Sequence, residues 1–483
     1  MPVHEPIGGQ LDIFTRGEIQ KIHGATMDIL KRLGVKVWSE DGRKLFADAG
    51  AEVDNKTMIV RMDESLVMDT IHKAPSSFNY YGRDPSYKLL MGKKRVHFSL
   101  CGQGVKVQDL DGVIRLATQR DLENMALIGD YCENIHHISM MTTPMDVPPE
   151  TMHIWALWGI LKNSVKTVDG YIHGTRWAEE TIQLGSLIRG STDELVKKPL
   201  LLGFTNPVSP MQLSKELVDG SIVYAKYKQP VLYAPEALAG GTAPATLAGL
   251  MVQQTAEVLS GIMVSQLANP GAPVFFGTVS AAMDMKTGAP ALGGPEVGLL
   301  NLATAQLARH YKLPCRGTGG NSDSKVVDAQ AGIETAISIL QASYAGVNFM
   351  YDSAGSLDGS ITTSYEKIVM DNEICGMVSR ILRGIEVTDE TLAVDEIIRI
   401  GPAASYLGTP YTLSHFRKEH YIPELLDRKS RDSWEAAGRK DLAQVAREKA
   451  RWILANHTPR PLDKDVFREC DEYVKKVVKG YGH

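Results

Sequence analysis

Hydrophobic and polar positions form a repeating pattern along the middle of the chain. A short apolar run is followed by a turn rich in Gly, Pro, Thr or Asn, and then by a longer stretch with helical periodicity; this unit occurs eight times between Val96 and Gly384. Eight such units predict an α/β fold of the (β/α)8 type, the TIM barrel. The predicted strands are residues 96–99, 136–142, 166–171, 200–205, 231–234, 274–277, 314–317 and 347–351.

The two ends of the chain follow other patterns. Thr15 and Glu18 have the spacing of a capping box and precede apolar positions at helical spacing, which predicts a helix there. Further helices are expected to begin at Ser39 and near Asp63. We therefore expect an N-terminal α/β appendage (1–95), a catalytic barrel (96–390) and a C-terminal helical extension (391–483).

Composition narrows the class of protein. Hydrophobic residues make up 43% and charged residues 23% of the chain, which is ordinary for a globular protein. The net charge of −5 provides no basic field, so we expect no nucleic-acid partner. No apolar run reaches the roughly 20 residues of a membrane span, and the start of the chain lacks a signal-peptide pattern, so we expect no membrane partner and a cytoplasmic location. The five cysteines are widely spaced, which predicts reduced thiols and no zinc site.

The loop after the seventh predicted strand is rich in glycine. Active sites of these barrels lie where strand C-termini meet the following loops. Gly317, Gly319 and Gly320 allow a close backbone approach to a ligand, and a helix starting near Asp328 favours an anion or an amide-rich ligand. The spacing is neither that of a Walker A loop nor that of a dinucleotide fingerprint. The alternative interpretation is a tight turn capped by Ser and Asp side chains.

Charged residues also end three of the strands. Arg316 suits a carboxylate ligand if its guanidinium points into the barrel mouth. The alternative is a salt bridge to Asp352 or Glu236, which end the eighth and fifth strands.

Aromatic residues recur at strand ends and could form a cage for a quaternary ammonium group, each cation–π contact contributing about 0.5–2 kcal/mol. Ordinary barrel packing is the competing explanation for any one of them. Gln103 and His173, on loops after the first and third strands, are further candidates. The aromatic candidates are Phe98, Phe204, Tyr233, Phe276 and Tyr351.

The chain lacks the usual motifs of a catalytic nucleophile. There is no G-x-S-x-G elbow, no H-E-x-x-H and no pair of carboxylates at a recognisable spacing. A shaped pocket without a nucleophile favours chemistry performed by a cofactor.

Four separated motifs resemble the trimethylamine methyltransferase family: GTGGNSDSKVVDAQAG, NPVSP, YDSAG and HFRKEHYIPELLDR. The resemblance covers nearly the whole chain and implies a barrel that presents a methylated amine to the cobalamin of a partner corrinoid protein. Founding members carry pyrrolysine at a place that corresponds to Asn321 or a close neighbour. This chain has an ordinary residue there, so it is similar to the non-pyrrolysine branch, whose members demethylate quaternary amines such as glycine betaine, proline betaine or carnitine.

A quaternary amine substrate with a carboxylate would give most of the candidates a role. Arg316 would bind a substrate carboxylate, the five aromatic residues the cation, and Glu236 and Asp352 would balance charge. Cobalamin would come from the partner, with no metal bound by this chain itself. The residues expected near the corrin ring are Asn206, Gly319, Gly320, Asn321 and Ser322.

Two other functions remain open from the residues alone. One is a barrel lyase or aldolase with a phosphate site in the seventh loop, and the other is a non-catalytic betaine-binding protein. A symmetric homo-oligomer is the expected assembly.

Overall fold

Eight parallel strands close into a barrel in the computed structural model, which describes residues 8–9 and 11–482. Each strand pairs with the next along the chain, and the eighth closes on the first with Phe349 opposite His97. The predicted (β/α)8 fold is therefore confirmed. The strands are His97–Leu100, His137–Ile138, Thr167–Gly170, Leu201–Thr205, Val231–Tyr233, Val274–Gly277, Cys315–Thr318 and Phe349–Ala354.

Two strands differ from their predicted bounds by more than one residue at either end. The second ends at Ile138 rather than at residue 142, because the Ser139 hydroxyl and the Met140 amide turn to partners other than the barrel ladder. The eighth runs to Ala354 and pairs again with Leu100 after an irregularity. Both changes affect the ends that carry the loops of the barrel mouth.

A helix follows every barrel strand, and several mouth loops contain additional short strands. Those strands are Lys106–Gln108, Ile114–Leu116, Gln212–Leu213, Leu238–Ala239, Ala281–Ala282, Ser356–Leu357 and Thr362–Ser364. The helices are Gln119–Tyr131, Met152–Asn163 after the 3-10 turn Pro149–Thr151, Gly174–Arg189 with Thr192–Lys197, Lys215–Lys226, Leu247–Ala268, Pro295–His310, Ala329–Ala345 and Tyr365–Arg383.

The fifth barrel helix, Leu247–Ala268, is apolar on nearly all sides. It is the one helix in the described part of the chain that is long and apolar enough to cross a membrane, and 72% of its apolar window is buried within the protein. Its burial follows from its position between the barrel and two helices of the N-terminal segment, Arg16–Arg32 and Glu64–Ile71. A helix enclosed on both sides is expected to be apolar all round.

The N-terminal segment packs along the barrel and closes its lower end. Its first two helices begin as predicted, since Thr15 forms a capping box with Glu18 and Ser39 caps the second. The hairpin Phe78–Tyr81 and Lys88–Met91 contributes side chains that pack inside the barrel. The segment's other elements are Val35–Val37, Glu40–Asp48, Glu52–Asp54 and Ile59–Arg61.

The C-terminal segment is helical and lies on the outside of the barrel. Helix Leu442–Asn456 packs on helix Tyr365–Arg383, and helix Lys464–Lys479 packs on helix Gly174–Arg189. The shorter helices are Asp389–Leu392, Val394–Ile400, Pro410–Glu419 and Arg431–Ala436.

Candidate active site at the barrel mouth

Arg316 points into the barrel and is fully buried. One terminal nitrogen, Nη1, donates to the Thr278 carbonyl and, at 2.6 Å, to the Thr318 hydroxyl. The other, Nη2, lies 3.5 Å from the Asp352 carboxylate. Its Nε has no hydrogen-bond partner in the described part of the chain. Arg316 therefore forms the salt bridge to Asp352 that was one of the two sequence interpretations, and its Nε keeps an unpaired donor. Binding of a substrate carboxylate stays a prediction.

A cavity of about 340 Å³, here called the first cavity, opens beside this guanidinium. It brings together residues at the ends of, and in the loops after, the first strand and the fourth to eighth strands. The candidates that line it are Gln103, Phe204, Asn206, Glu236, Arg316, Asn321, Tyr351 and Asp352.

Two aromatic rings pack against the guanidinium. The Arg316 Cζ atom lies 5.3 Å from the ring centre of Phe204 and 5.1 Å from that of Tyr351, and the two ring centres are 5.0 Å apart. Both distances are within the range of cation–π attraction.

Three of the five predicted cage residues are not at the cavity. Phe98, Tyr233 and Phe276 are fully buried on the outer face of the barrel, against its helices. Side chains alternate along a strand, so a residue one position away from an inward-facing one points outward. Their partners there are His136, stacked at 5.8 Å, the Ser265 hydroxyl at 2.7 Å, and Tyr311, stacked at 5.8 Å.

The acidic groups of the first cavity have raised pKa values. Burial raises the pKa of Asp352 to about 6, although Arg316 opposes the shift. The Asp352 backbone has a φ of 61°, and its Oδ1 accepts from the Gly102 amide at 2.9 Å. Glu236 is exposed to the cavity, but the protein packed around its carboxyl group raises its pKa, again with Arg316 opposing. Near neutral pH a modest change in conditions can therefore alter the charge facing Arg316.

The sequence interpretation missed Asp169, which anchors Tyr351. The Tyr351 hydroxyl donates to Asp169 Oδ2, which also accepts from the Met140 amide at 3.2 Å. Asp169 Oδ1 lies 3.0 Å from His137 Nε2. Burial, followed by the charge of Asp169, raises the pKa of Tyr351 well above its ordinary value. The single charged residue in the buried strand Thr167–Gly170 was the feature that could have revealed it.

The glycines of the seventh loop face the protein rather than a ligand. The Gly319 amide donates to the Tyr351 carbonyl at 3.0 Å, and the Gly320 amide to the Ser338 hydroxyl at 2.9 Å. Gly320 has a φ of 80°, and a Cβ there would lie 2.6 Å from the Asp352 carbonyl oxygen. The close approach predicted for these glycines is thus to the eighth strand, and neither is placed to hold a corrin ring or a phosphate.

Of the other residues predicted near the corrin ring, one is buried away from the first cavity and two line it. Ser322 is fully buried and donates to Glu334 at 2.7 Å, so it is also not at the cavity. Asn321 lines the first cavity and accepts from the Ser360 hydroxyl at 2.9 Å. Asn206 donates to Glu236 at 3.0 Å. Only these two asparagines of the predicted set face the barrel mouth.

A neighbouring cavity of about 520 Å³, here called the second cavity, lies above the second, third and fourth strands. It shares Gln103, Phe204 and Asn206 with the first cavity. His173 lines this second cavity, with its ring 5.7 Å from that of Trp177. The barrel mouth therefore offers two adjoining spaces.

Metal-binding geometry is not found at either cavity. Within residues 8–9 and 11–482, no group of three His, Cys, Asp or Glu side chains is arranged to hold a metal ion. The five cysteines are buried free thiols.

A closed (β/α)8 barrel with charged and aromatic side chains gathered at its C-terminal mouth has the arrangement typical of barrel enzymes. Residues 3–482 match the family model described as trimethylamine methyltransferase (MTTB), and the chain belongs to that family. Its activity class is accordingly that of a methyltransferase.

Two proteins similar in sequence are named as methyltransferases. The glycine betaine methyltransferase of Desulfitobacterium hafniense (strain Y51) is 34% identical over 98% of each chain. The trimethylamine methyltransferase MttB of Methanosarcina barkeri is 36% identical, covering 98% of this chain and 97% of that one. Among solved structures, the monomethylamine methyltransferase (MtmB) of Methanosarcina barkeri matches with a TM-score of 0.47 and 10% identity, covering 93% of this chain and 95% of that one.

Proposed function

We propose that the protein moves a methyl group from a quaternary amine that carries a carboxylate, of the glycine betaine type, to the cobalt(I) of a partner corrinoid protein. The observation that carries the proposal is Arg316, a buried guanidinium beside two aromatic rings, with one donor left without a protein partner. A carboxylate is the ligand that such a donor favours most.

The absence of a nucleophile fits this chemistry. A quaternary nitrogen has no lone pair to protonate, and its permanent charge makes a neutral tertiary amine the leaving group. The partner's corrinoid would supply the nucleophile for the methyl carbon, and the carbon–nitrogen bond would break with its electron pair left on the amine nitrogen. The protein's own contribution is to orient the nitrogen–methyl bond and to exclude water from it.

The acceptor must approach from the barrel mouth. The opposite end is filled by side chains of the hairpin Phe78–Tyr81 and Lys88–Met91, including Tyr80, Leu89 and Met91, all of them fully buried. Asn206 and Asn321 face the open end and are the predicted corrin contacts that its geometry leaves available.

The test is methyl transfer to reduced cobalamin. Purified protein is mixed with cobalt(I) cobalamin, with and without its corrinoid protein, and with glycine betaine, proline betaine, carnitine, γ-butyrobetaine or trimethylamine. We expect methylcobalamin to form spectroscopically with a carboxylated quaternary amine and not with trimethylamine. Methylation by trimethylamine alone would contradict the substrate class, and no methylation by any compound would contradict the activity.

A further inference from the structure

We infer that the second cavity binds the quaternary ammonium end of the substrate while Arg316, in the first cavity, binds its carboxylate. This inference rests on the proposed function and adds to it a particular substrate shape: the two charged ends must be far enough apart to lie on either side of Phe204.

The aromatic rings of the first cavity already contact a cation. The guanidinium of Arg316 lies over both Phe204 and Tyr351, at 5.3 and 5.1 Å from their ring centres. A second cation placed against the same faces would be repelled by the guanidinium. Phe204 also lines the second cavity, where no Arg or Lys is among the described residues of the wall.

The wall of the second cavity combines an acid with aromatic and thioether side chains. Among its described residues, Asp169 is the only Asp or Glu, so the formal charge of the cavity is negative. Trp177, Tyr171 and Phe204 contribute aromatic side chains, and Met140 and Met152 contribute polarisable thioethers. A wall of this composition suits a large cation that forms no conventional hydrogen bonds.

Tyr171 supplies an independent observation. Its side chain is 8% exposed, and its hydroxyl oxygen is buried without a hydrogen-bond partner in the described part of the chain. A buried hydroxyl left unpaired costs free energy, so the protein alone does not complete this part of the second cavity's wall.

The second cavity also lies where methyl transfer requires it. Its wall is made by residues at and beyond the C-terminal ends of the second, third and fourth strands, which is the same open end that the acceptor must approach. A methyl group held in the second cavity is therefore accessible to an acceptor that approaches from the barrel mouth.

The experiment measures binding separately from methyl transfer. Calorimetry follows tetramethylammonium, which has only the cation, and a homologous series of trimethylammonio carboxylates with one to four carbons between the charged groups. We expect affinity to rise along the series and to be highest at three or four carbons. Equal or tighter binding of the one-carbon compound would overturn the two-cavity inference.

Substitutions identify the cavity. Trp177→Leu should lower the affinity for tetramethylammonium about tenfold, whereas Trp177→Phe, which keeps an aromatic face, should restore most of it. Trp452→Leu is the control, because Trp452 is exposed on the C-terminal segment. Loss of tetramethylammonium binding in Tyr351→Leu but not in Trp177→Leu would place the ammonium in the first cavity and overturn the inference.

A blocking variant covers the case in which Trp177→Leu fails to fold. Met152→Trp adds volume at the partly buried edge of the second cavity and should weaken the long-chain compounds more than the one-carbon compound. An unchanged order of affinities would contradict the inference. The expected binding pattern without methyl transfer would refute the proposed activity alone, and methyl transfer with no dependence on chain length would refute the two-cavity inference alone.

Discussion

Two buried cations at opposite ends of the barrel are satisfied in different ways. Lys166, just before the third strand, donates to the carbonyls of Gly129, Cys132 and Ile135 at 2.8, 2.6 and 2.5 Å. An ammonium group has three donors, and all three are used. Arg316, at the mouth, retains an unpaired Nε. A buried charge whose donors are all used indicates a structural role, whereas one with a donor left over indicates a ligand.

The largest expected effect is on stability at the lower end. Lys166→Ala should lower the free energy of unfolding by about 3 kcal/mol or more, because three buried carbonyls lose their donor. Since no cavity of the mouth is touched, kcat/KM of the folded variant should stay within about twofold. Urea unfolding and methyl-transfer rates measure the two effects, with Lys166→Met as a better-packed control. A large loss of kcat/KM in the folded variant would show that Lys166 does not have a purely structural role.

The next effect is on activity at the mouth. Arg316→Gln should lower kcat/KM for a carboxylated quaternary amine about 100-fold, since a hydrogen bond to a charged group contributes about 1.5–3 kcal/mol. Binding of tetramethylammonium should not weaken, because that cation has no carboxylate. Calorimetry with both ligands makes the distinction. Equal losses for both would show that Arg316 acts through the fold instead.

The pH dependence sharpens the role of Asp352. Below its pKa of about 6 the carboxyl group is neutral and leaves the charge of Arg316 to the substrate; above it, the ionised group neutralises Arg316 and repels the substrate carboxylate. Affinity for a betaine should therefore fall about tenfold between pH 5 and 7. Asp352→Asn should remove most of this dependence. Affinity that rises over the same range in the unmodified protein would refute the assignment.

The smallest expected effect distinguishes Tyr351, which faces the barrel mouth, from Tyr233, which faces the outer helices. Tyr351→Phe and Tyr233→Phe each remove one buried hydroxyl with a partner, Asp169 or Ser265, and each should lower the free energy of unfolding by about 1 kcal/mol. Only Tyr351→Phe should change substrate affinity, by a few-fold, because the lost hydroxyl is the group that anchors to Asp169 the ring that lines the first cavity. A comparable affinity change in both variants would show that altered packing of the barrel, and not the position of the Tyr351 ring, changes the affinity.

The repeating pattern was sufficient to predict the barrel, because helices and buried strands leave different periods in the sequence. It was not sufficient to orient single residues. Barrel strands are buried on both faces, so Tyr233 and Phe276 look the same in sequence as the inward-facing Phe204. Alternation assigns a face only when one residue of the strand has a known direction.

The charged part of the site was easier to predict than the glycine loop. Arg316, Glu236 and Asp352 are charged residues at buried strand ends, and such residues need a partner or a ligand. Glycines at 319 and 320 signal close backbone approach, but the sequence does not say whether the approaching group is a ligand or another strand. Here it is the eighth strand.

The helix Gly174–Arg189, which carries Trp177, is held from outside by the end of the chain. The Tyr481 hydroxyl donates to Glu180 at 3.0 Å, and the Arg176 guanidinium lies 3.5 Å from the Tyr481 ring centre. Selection for an altered substrate range therefore has two targets: the residues that touch the ligand, and a remote surface that sets the position of one wall. Library designs restricted to the barrel mouth would never sample the second.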